Sequence, residues 1–366
     1  MKSFSHKPLL WLLTCLLLIA CQFLPTAATQ LPAATQPAAL PASTEAPRPA
    51  AVTQAPAIAV EPVATALPAP TQVVLPPVDN GKIAYEHLSY LSGQLGPRRP
   101  GSKAETAAAE YIRDVFEGIG YATETQPFAF EDEDGDSLGS QNIIAVKPGI
   151  SNQVIIVGAH YDSGSEAAGA DDNASGVAVM LEAAEAVYSR QTPYTLVFIA
   201  FGAEENDLDG SYAYVEQMSR NEIEDTVAMV NLDSLVAGDL AYIYGDDGPG
   251  TLLDWTMELA SDSGFLLDFR AADELDNPDG SRCECADYDP FQLEEIPFIY
   301  FEATNWELGE QDGMTQVDPS LGENGEIRHT RYDTIDTINR LFPGRIEHHL
   351  NLFTTLLIDI LTEYQS

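Results

Sequence analysis

Val154-Ile155-Ile156-Val157-Gly158-Ala159-His160-Tyr161-Asp162-Ser163 is a short apolar run that ends on a histidine and an aspartate. Four β-branched residues in succession, without polar alternation, suit a strand covered on both faces. The pattern recurs at residues 196–201, which lead into Gly202-Ala203-Glu204-Glu205, and at 227–232, which lead into Asp233-Ser234. Further apolar runs lie at 143–146, 242–244 and 298–301. Between them the spacing changes to three and four. Ala108, Tyr111, Ile112, Val115, Phe116 and Ile119 predict an amphipathic helix over 105–119, stopped by Gly120. Helices are also expected at 176–188, 212–219, 252–263 and 344–363. Such alternation predicts an α/β sandwich on a mixed, mostly parallel central sheet. No fixed-period repeat points to a solenoid or propeller.

In sheets of this kind ligands collect at the carboxyl ends of the strands. His160 stands at one such end, with Asp162 two residues on and able to hold the imidazole from behind. Asp172 follows in Gly169-Ala170-Asp171-Asp172-Asn173-Ala174-Ser175-Gly176, a string that alone reads as a loop and helix cap. Glu204 and Glu205 are adjacent carboxylates at a buried strand end, costly to hold together unless a cation neutralises them. Asp233 is delivered to the same rim by the next run. Of the other histidines, His87 has no acidic companion and His348 and His349 read as packing or surface residues. His329, in Arg328-His329-Thr330-Arg331-Tyr332-Asp333-Thr334, has a carboxylate nearby in Asp333 and is the best second imidazole. Two imidazoles and three carboxylates are too many ligands for one open tetrahedral zinc, and they suit two metals sharing a bridging carboxylate and a water.

The ordered set His160, Asp172, Glu204-Glu205, Asp233 and His329 resembles the co-catalytic zinc aminopeptidases of metallopeptidase family 28. The likeness spans about residues 85–366 and includes Leu95-Gly96-Pro97-Arg98-Arg99-Pro100-Gly101-Ser102 and Gly210-Ser211. It implies a three-layer α/β/α sandwich and two zinc ions or other divalent metals. His160 and Asp233 would hold one metal and Glu205 and His329 the other, with Asp172 bridging. Glu204 would be the general base acting on a metal-bridging water, Asp162 would orient His160, and the peptide bond after Asp172 would be cis. The implied substrates are peptides with a free N-terminus. Near Ala286-Asp287-Tyr288-Asp289-Pro290-Phe291 the family often has Ser-Asp-His before an aromatic, so Ala286 and Tyr288 are departures in a loop expected to shape the substrate pocket. Two other readings share these residues. One is a glutaminyl-cyclase-like enzyme with a single zinc, and the other is a surface peptide-binding lipoprotein without catalysis. A carboxypeptidase is disfavoured, because few basic groups are available for a substrate carboxylate.

The chain has 366 residues and a formal charge of −40, from 57 acidic against 17 basic side chains. That field opposes nucleic acid or anionic lipid headgroups as partners of the folded part. Residues 1–78 stand apart: they hold 13 of the 24 prolines and none of the 26 glycines, a composition that does not build a core. Lys2 and Lys7 precede an apolar stretch over 9–20, too short to span a bilayer stably and suited to an export signal. Leu18-Ile19-Ala20-Cys21 is similar to a lipoprotein cleavage site, which would leave Cys21 as the lipidated N-terminus and membrane anchor, with the protein extracytoplasmic. The expected organisation is therefore a signal over 1–20, a Pro/Ala/Thr-rich tether over 21–78 and a peptidase domain over 79–366. Cys283 and Cys285 are either a strained bridge or two free thiols, and are not assigned as metal ligands. Acidic stretches at 131–136 and 273–279 read as solvated loops.

Overall fold

The apolar runs become the inner strands of a single eight-stranded sheet. The computed structural model describes residues 80–132, 134–164, 166–246, 248–271, 286–304, 321 and 326–365. The expectations for residues 1–20, 21–78, Cys21, Cys283, Cys285 and the loop at 273–279 lie outside the described residues. In chain order the strands are β1 (Thr123–Glu131), β2 (Ser137–Lys147), β3 (Val154–His160), β4 (Thr195–Phe201), β5 (Thr226–Leu232), β6 (Leu240–Gly245), β7 (Asp268–Ala271) and β8 (Phe298–Thr304). They pair in the order β1-β2-β4-β3-β5-β8-β6-β7. The central strands β4, β3, β5 and β8 run parallel, while β1, β2 and β6 make antiparallel pairings towards the edges.

Successive residues of the central strands feed two different cores. Ile155, Val157, Leu196, Phe198 and Val230 enter the larger one, with the helices α1 (Lys82–Leu88), α2 (Lys103–Ile119), α3 (Ser175–Tyr188), α6 (Leu252–Asp262) and α9 (Arg345–Glu363). Ile156, Val197, Ile199, Phe201 and Met229 enter the other, with α4 (Asp209–Val215), α5 (Arg220–Asp225) and α7 (Asp289–Leu293). The remaining helix is α8 (Ile335–Leu341). This is the three-layer sandwich that the resemblance implied, and it accounts for the continuous apolar runs, since a strand flanked by helices on both faces has no polar side. Each large aliphatic side chain so buried contributes roughly 1.5–3 kcal/mol. In α9, Leu350, Phe353, Leu357 and Ile360 are all buried, and the Phe353 ring meets Phe301 of β8 edge-on at 5.6 Å.

Some boundaries differ from expectation. The helix expected over 212–219 is α4 and ends at Val215, and Ser219 then opens α5 with a capping box closed by Glu222. β1 is a largely exposed edge strand with only Phe130 buried, so its sequence carries no apolar run. No described helix is long and apolar enough to cross a membrane.

Candidate metal centre

Because β3, β4 and β5 are parallel, their carboxyl ends share one rim. His160 pairs in register with Phe201, and the N–H of Asp233 donates to the carbonyl of Phe301 at 3.1 Å. The chain then turns sharply at each strand end. Ala203 lies in the left-handed region at φ 54°, which points Glu204 and Glu205 back over the rim. Gly176, at the start of α3, lies so close to the carbonyl of Leu232 that a Cβ there would overlap it, so only glycine lets α3 approach β5.

The six residues expected at the centre converge. Asp172 lies between the two imidazoles, its Oδ1 3.1 Å from His160 Nε2 and its Oδ2 3.0 Å from His329 Nε2. His160 Nε2 is also 3.5 Å from Asp233 Oδ1 and 3.7 Å from Glu204 Oε2, and His329 Nε2 is 3.7 Å from Glu205 Oε2. Two groups result, His160 with Glu204 and Asp233, and Asp172 with Glu205 and His329, each with one donor atom per residue inside a 4.8 Å span. The bond between Asp172 and Asn173 is cis, as the resemblance implied. His87 instead bonds Tyr111, and His349 packs against Phe353 in the core.

A second set of carboxylates holds the loops. Asp162 accepts the backbone N–H groups of Glu204 and Glu205, both at 3.1 Å, while His160 Nδ1 is 3.6 Å away. Its strong contacts are thus to the β4 turn, with the imidazole beyond hydrogen-bond distance. Asp333 accepts from the N–H groups of Asp171 and Asp172, at 2.7 and 3.1 Å, and so fixes the Asp172 loop. Asp171 turns away and accepts from Val236 and Ala237, at 2.7 and 2.8 Å. Arg98, from the string ahead of α2, is fully buried and donates to the carbonyls of Leu91, Gly96, Tyr161, Ala168 and Gly169. Tyr288, expected to shape the pocket, is buried and stacks flat on Phe298 at 4.3 Å. A cleft of about 250 Å³ beside Glu205 is lined by Arg99, Phe130, Leu138 and Asn206.

Charges here perturb one another strongly. Burial pushes the Glu204 carboxyl well above the usual range, with Asp287, Asp233 and Glu205 adding to it against His160. Burial and Asp172 push Glu205 up to about 7. Burial opposes protonation of His160, but Glu204, Asp233, Asp162 and Asp172 outweigh it and raise the imidazole well above normal. Burial also works against ionisation of Asp172, yet Arg328 and the two imidazoles hold it well below the carboxylate range. The sequence reading assigned Arg328 no role. Its Nε is 3.2 Å from Asp172 Oδ2 and its Nη1 3.1 Å from Glu302 Oε1.

A divalent metal fits this donor set on an observation internal to the site. His160 Nε2, Asp172 Oδ1, Glu205 Oε1 and Asp233 Oδ2 are buried with no hydrogen-bond partner. Buried polar atoms in folded proteins are nearly always satisfied, so several orphans facing one small space call for a cation.

Comparisons with known proteins give the family and the fold. Residues 142–353, which contain His160, Asp172, Glu204, Glu205, Asp233 and His329, match the model of peptidase family M28. The chain is 29% identical over 312 residues to the alkaline phosphatase isozyme conversion protein of Escherichia coli K12, covering 77% of this chain and 90% of the relative. Several other relatives are matched over less than half of their own length. In fold the chain is similar to BSAP, a zinc aminopeptidase from Bacillus subtilis, with TM-score 0.61 and 20% identity over 78% of this chain and 96% of that one. It is also similar to Porphyromonas gingivalis glutaminyl cyclase, with TM-score 0.58 and 19% identity over 78% and 99%.

Proposed function

Taking as premise that the chain belongs to peptidase family M28, we propose that it is a metal-dependent aminopeptidase that removes N-terminal residues from peptides. The observation that carries the reading is the Asp172 carboxylate set between two imidazoles, at 3.1 and 3.0 Å. One metal would be held by His160 and Asp233 and a second by Glu205 and His329, with Asp172 shared. Two bound divalent ions, zinc in the first instance, supply Lewis acidity that acidifies water and polarises a carbonyl.

The chain's own groups do the rest. Glu204 stands at the same rim, its Oε2 3.7 Å from His160 Nε2, where a carboxylate can take a proton from water and return it to the leaving amine. Asp162 positions Glu204 and Glu205 through their backbone amides, and Asp333 positions Asp172 in the same way. The acidic rim attracts a free α-amine and so favours N-termini over internal bonds. The domain would work outside the cytoplasm, tethered by a lipid on Cys21, and loss of palmitate labelling in Cys21→Ser checks that location.

The test of the activity is hydrolysis of a panel of aminoacyl arylamides by the full chain, with and without chelator, beside Glu204→Ala. Chelator-sensitive release by wild type and loss in Glu204→Ala are expected. Equal inactivity of both proteins with zinc bound overturns the reading.

A further inference from the structure

Arg328 is the one cation among the described residues that is ion-paired to residues of the candidate metal centre, and nothing in the ligand set requires it. A guanidinium beside metal-binding carboxylates repels incoming metal, so its placement needs a compensating reason. Glu302, at the end of β8, supplies part of it. Glu302 Oε1 lies 3.1 Å from Arg328 Nη1, and Tyr244 donates its hydroxyl to Glu302 Oε2 at 2.7 Å. The pair is neutral as a unit, and its side chains are only 12% and 9% exposed. Arg328 and His329 approach the same oxygen, Asp172 Oδ2, from two sides, at 3.2 and 3.0 Å.

With Nε on Asp172 and Nη1 on Glu302, the remaining arm of the fork is Nη2. It sits 3.9 Å from Asp233 Oδ2, outside hydrogen-bonding distance. This arm thus lies beside Asp233 as a long ion pair with no short hydrogen bond to it, next to oxygens that would hold metal. A carbonyl held at the metals these carboxylates would bind would lie beside this arm, whereas a distant carboxylate on the same peptide would sit farther out.

We propose that Arg328 is a catalytic residue, braced by Glu302, whose Nη2 donates to the oxygen of the scissile carbonyl and stabilises the negative charge that forms there. The proposal rests on the aminopeptidase reading. In the step concerned, a water oxygen bonds to the carbonyl carbon as Glu204 accepts the water's proton, and the carbonyl π pair moves onto oxygen, where Arg328 meets it. When that pair returns, the C–N bond breaks and the proton on Glu204 passes to the amine nitrogen. The products are the released amino acid and the shortened peptide. A planar, always charged fork suits this task better than a flexible ammonium. Removing one such donor elsewhere costs about 10²–10³ in kcat.

The experiment compares Arg328→Gln, Arg328→Lys and Glu302→Gln in the full chain, loaded with zinc and checked for folding by circular dichroism. Readouts are kcat and KM on aminoacyl arylamides and on dipeptides, zinc per chain, and affinity for an aminophosphonate analogue of the tetrahedral state. Arg328→Gln is expected to lower kcat by about 10²–10³ on both substrate types with KM within about threefold. Zinc content stays unchanged and phosphonate affinity falls in step with kcat, while Arg328→Lys recovers part of the loss. Glu302→Gln, which leaves the fork in place but unbraced, lowers kcat less. An active wild type with an equally active Arg328→Gln overturns the proposal. So does a loss explained by missing zinc, or one confined to the KM of dipeptides, which would make Arg328 a carboxylate binder. A zinc-replete wild type that cleaves nothing overturns the aminopeptidase reading itself.

Discussion

Asp171 and Asp172 are neighbours in one loop and equally withdrawn from water, at 1% and 2% exposure, yet they serve opposite purposes. Asp171 spends one oxygen on the backbone amides of Val236 and Ala237. Asp172 faces two imidazoles and a guanidinium. The contrast extends across the site. Asp162, Asp171 and Asp333 tie loops together by accepting backbone N–H groups, whereas Asp172, Glu205 and Asp233 lie against the two imidazoles; an orphaned oxygen occurs in both sets, on Asp171 as well as on the three site acids. A third class, the acids on exposed faces, makes up much of the −40 charge and does neither. Neither burial nor an orphaned oxygen separates scaffold from site, but the groups that each carboxylate faces do.

The largest effect expected from breaking this division is on Glu204. Glu204→Ala should lower kcat by about 10³–10⁴ while zinc content and thermal stability stay near wild type; loss of zinc in parallel would move Glu204 into the ligand set. Asp172→Asn should also abolish activity, but through loss of bound zinc, seen by metal analysis of a protein that is still folded. Asp171→Ala should do the reverse. It leaves two buried amides without an acceptor, costing about 2–4 kcal/mol in urea unfolding, with zinc stoichiometry preserved.

Glu105 sharpens the scaffold side. Buried in α2, it accepts from the N–H of Gly101 at 2.7 Å and from the hydroxyl of Ser140, and burial pushes its pKa up to about 7. A carboxyl whose folded pKa is raised contributes fully below its unfolded value of about 4.3 and loses that contribution as pH rises through about 7. Wild type should therefore lose stability relative to Glu105→Gln between pH 5 and 8, by on the order of 2–3 kcal/mol. A difference that does not change with pH would contradict this. The smallest effect belongs to the exposed acids. Glu224, paired with Arg220 one turn away on α5, should cost under about 0.5 kcal/mol when replaced by Gln.

The sequence made the central strands legible because strands buried on both faces must be continuously apolar, and 143–146, 154–157, 196–201 and 227–232 all became strands. It concealed β1, where Thr123–Glu131 is a largely exposed edge containing Pro127. α5 was legible but unread: Ser219 and Glu222 have the spacing of a capping box. Asp172 and His329 gained meaning only as members of the ordered set, whereas His160, Glu204, Glu205 and Asp233 stood out because each comes just after an apolar run. Their supports did not, since Asp333 reaches back 161 residues to the Asp172 amide and Arg328 meets Glu302 across 26. A lone acid or arginine acquires such a role only when the fold brings its partner to it.

The central claim is that the rim residues form a centre for two metals. Zinc bound per chain at saturation, measured by equilibrium dialysis and elemental analysis, tests it most directly. Two zinc ions in wild type and one in His329→Ala are expected. A single zinc in wild type, unchanged by His329→Ala, would contradict the account and favour chemistry of the glutaminyl-cyclase kind.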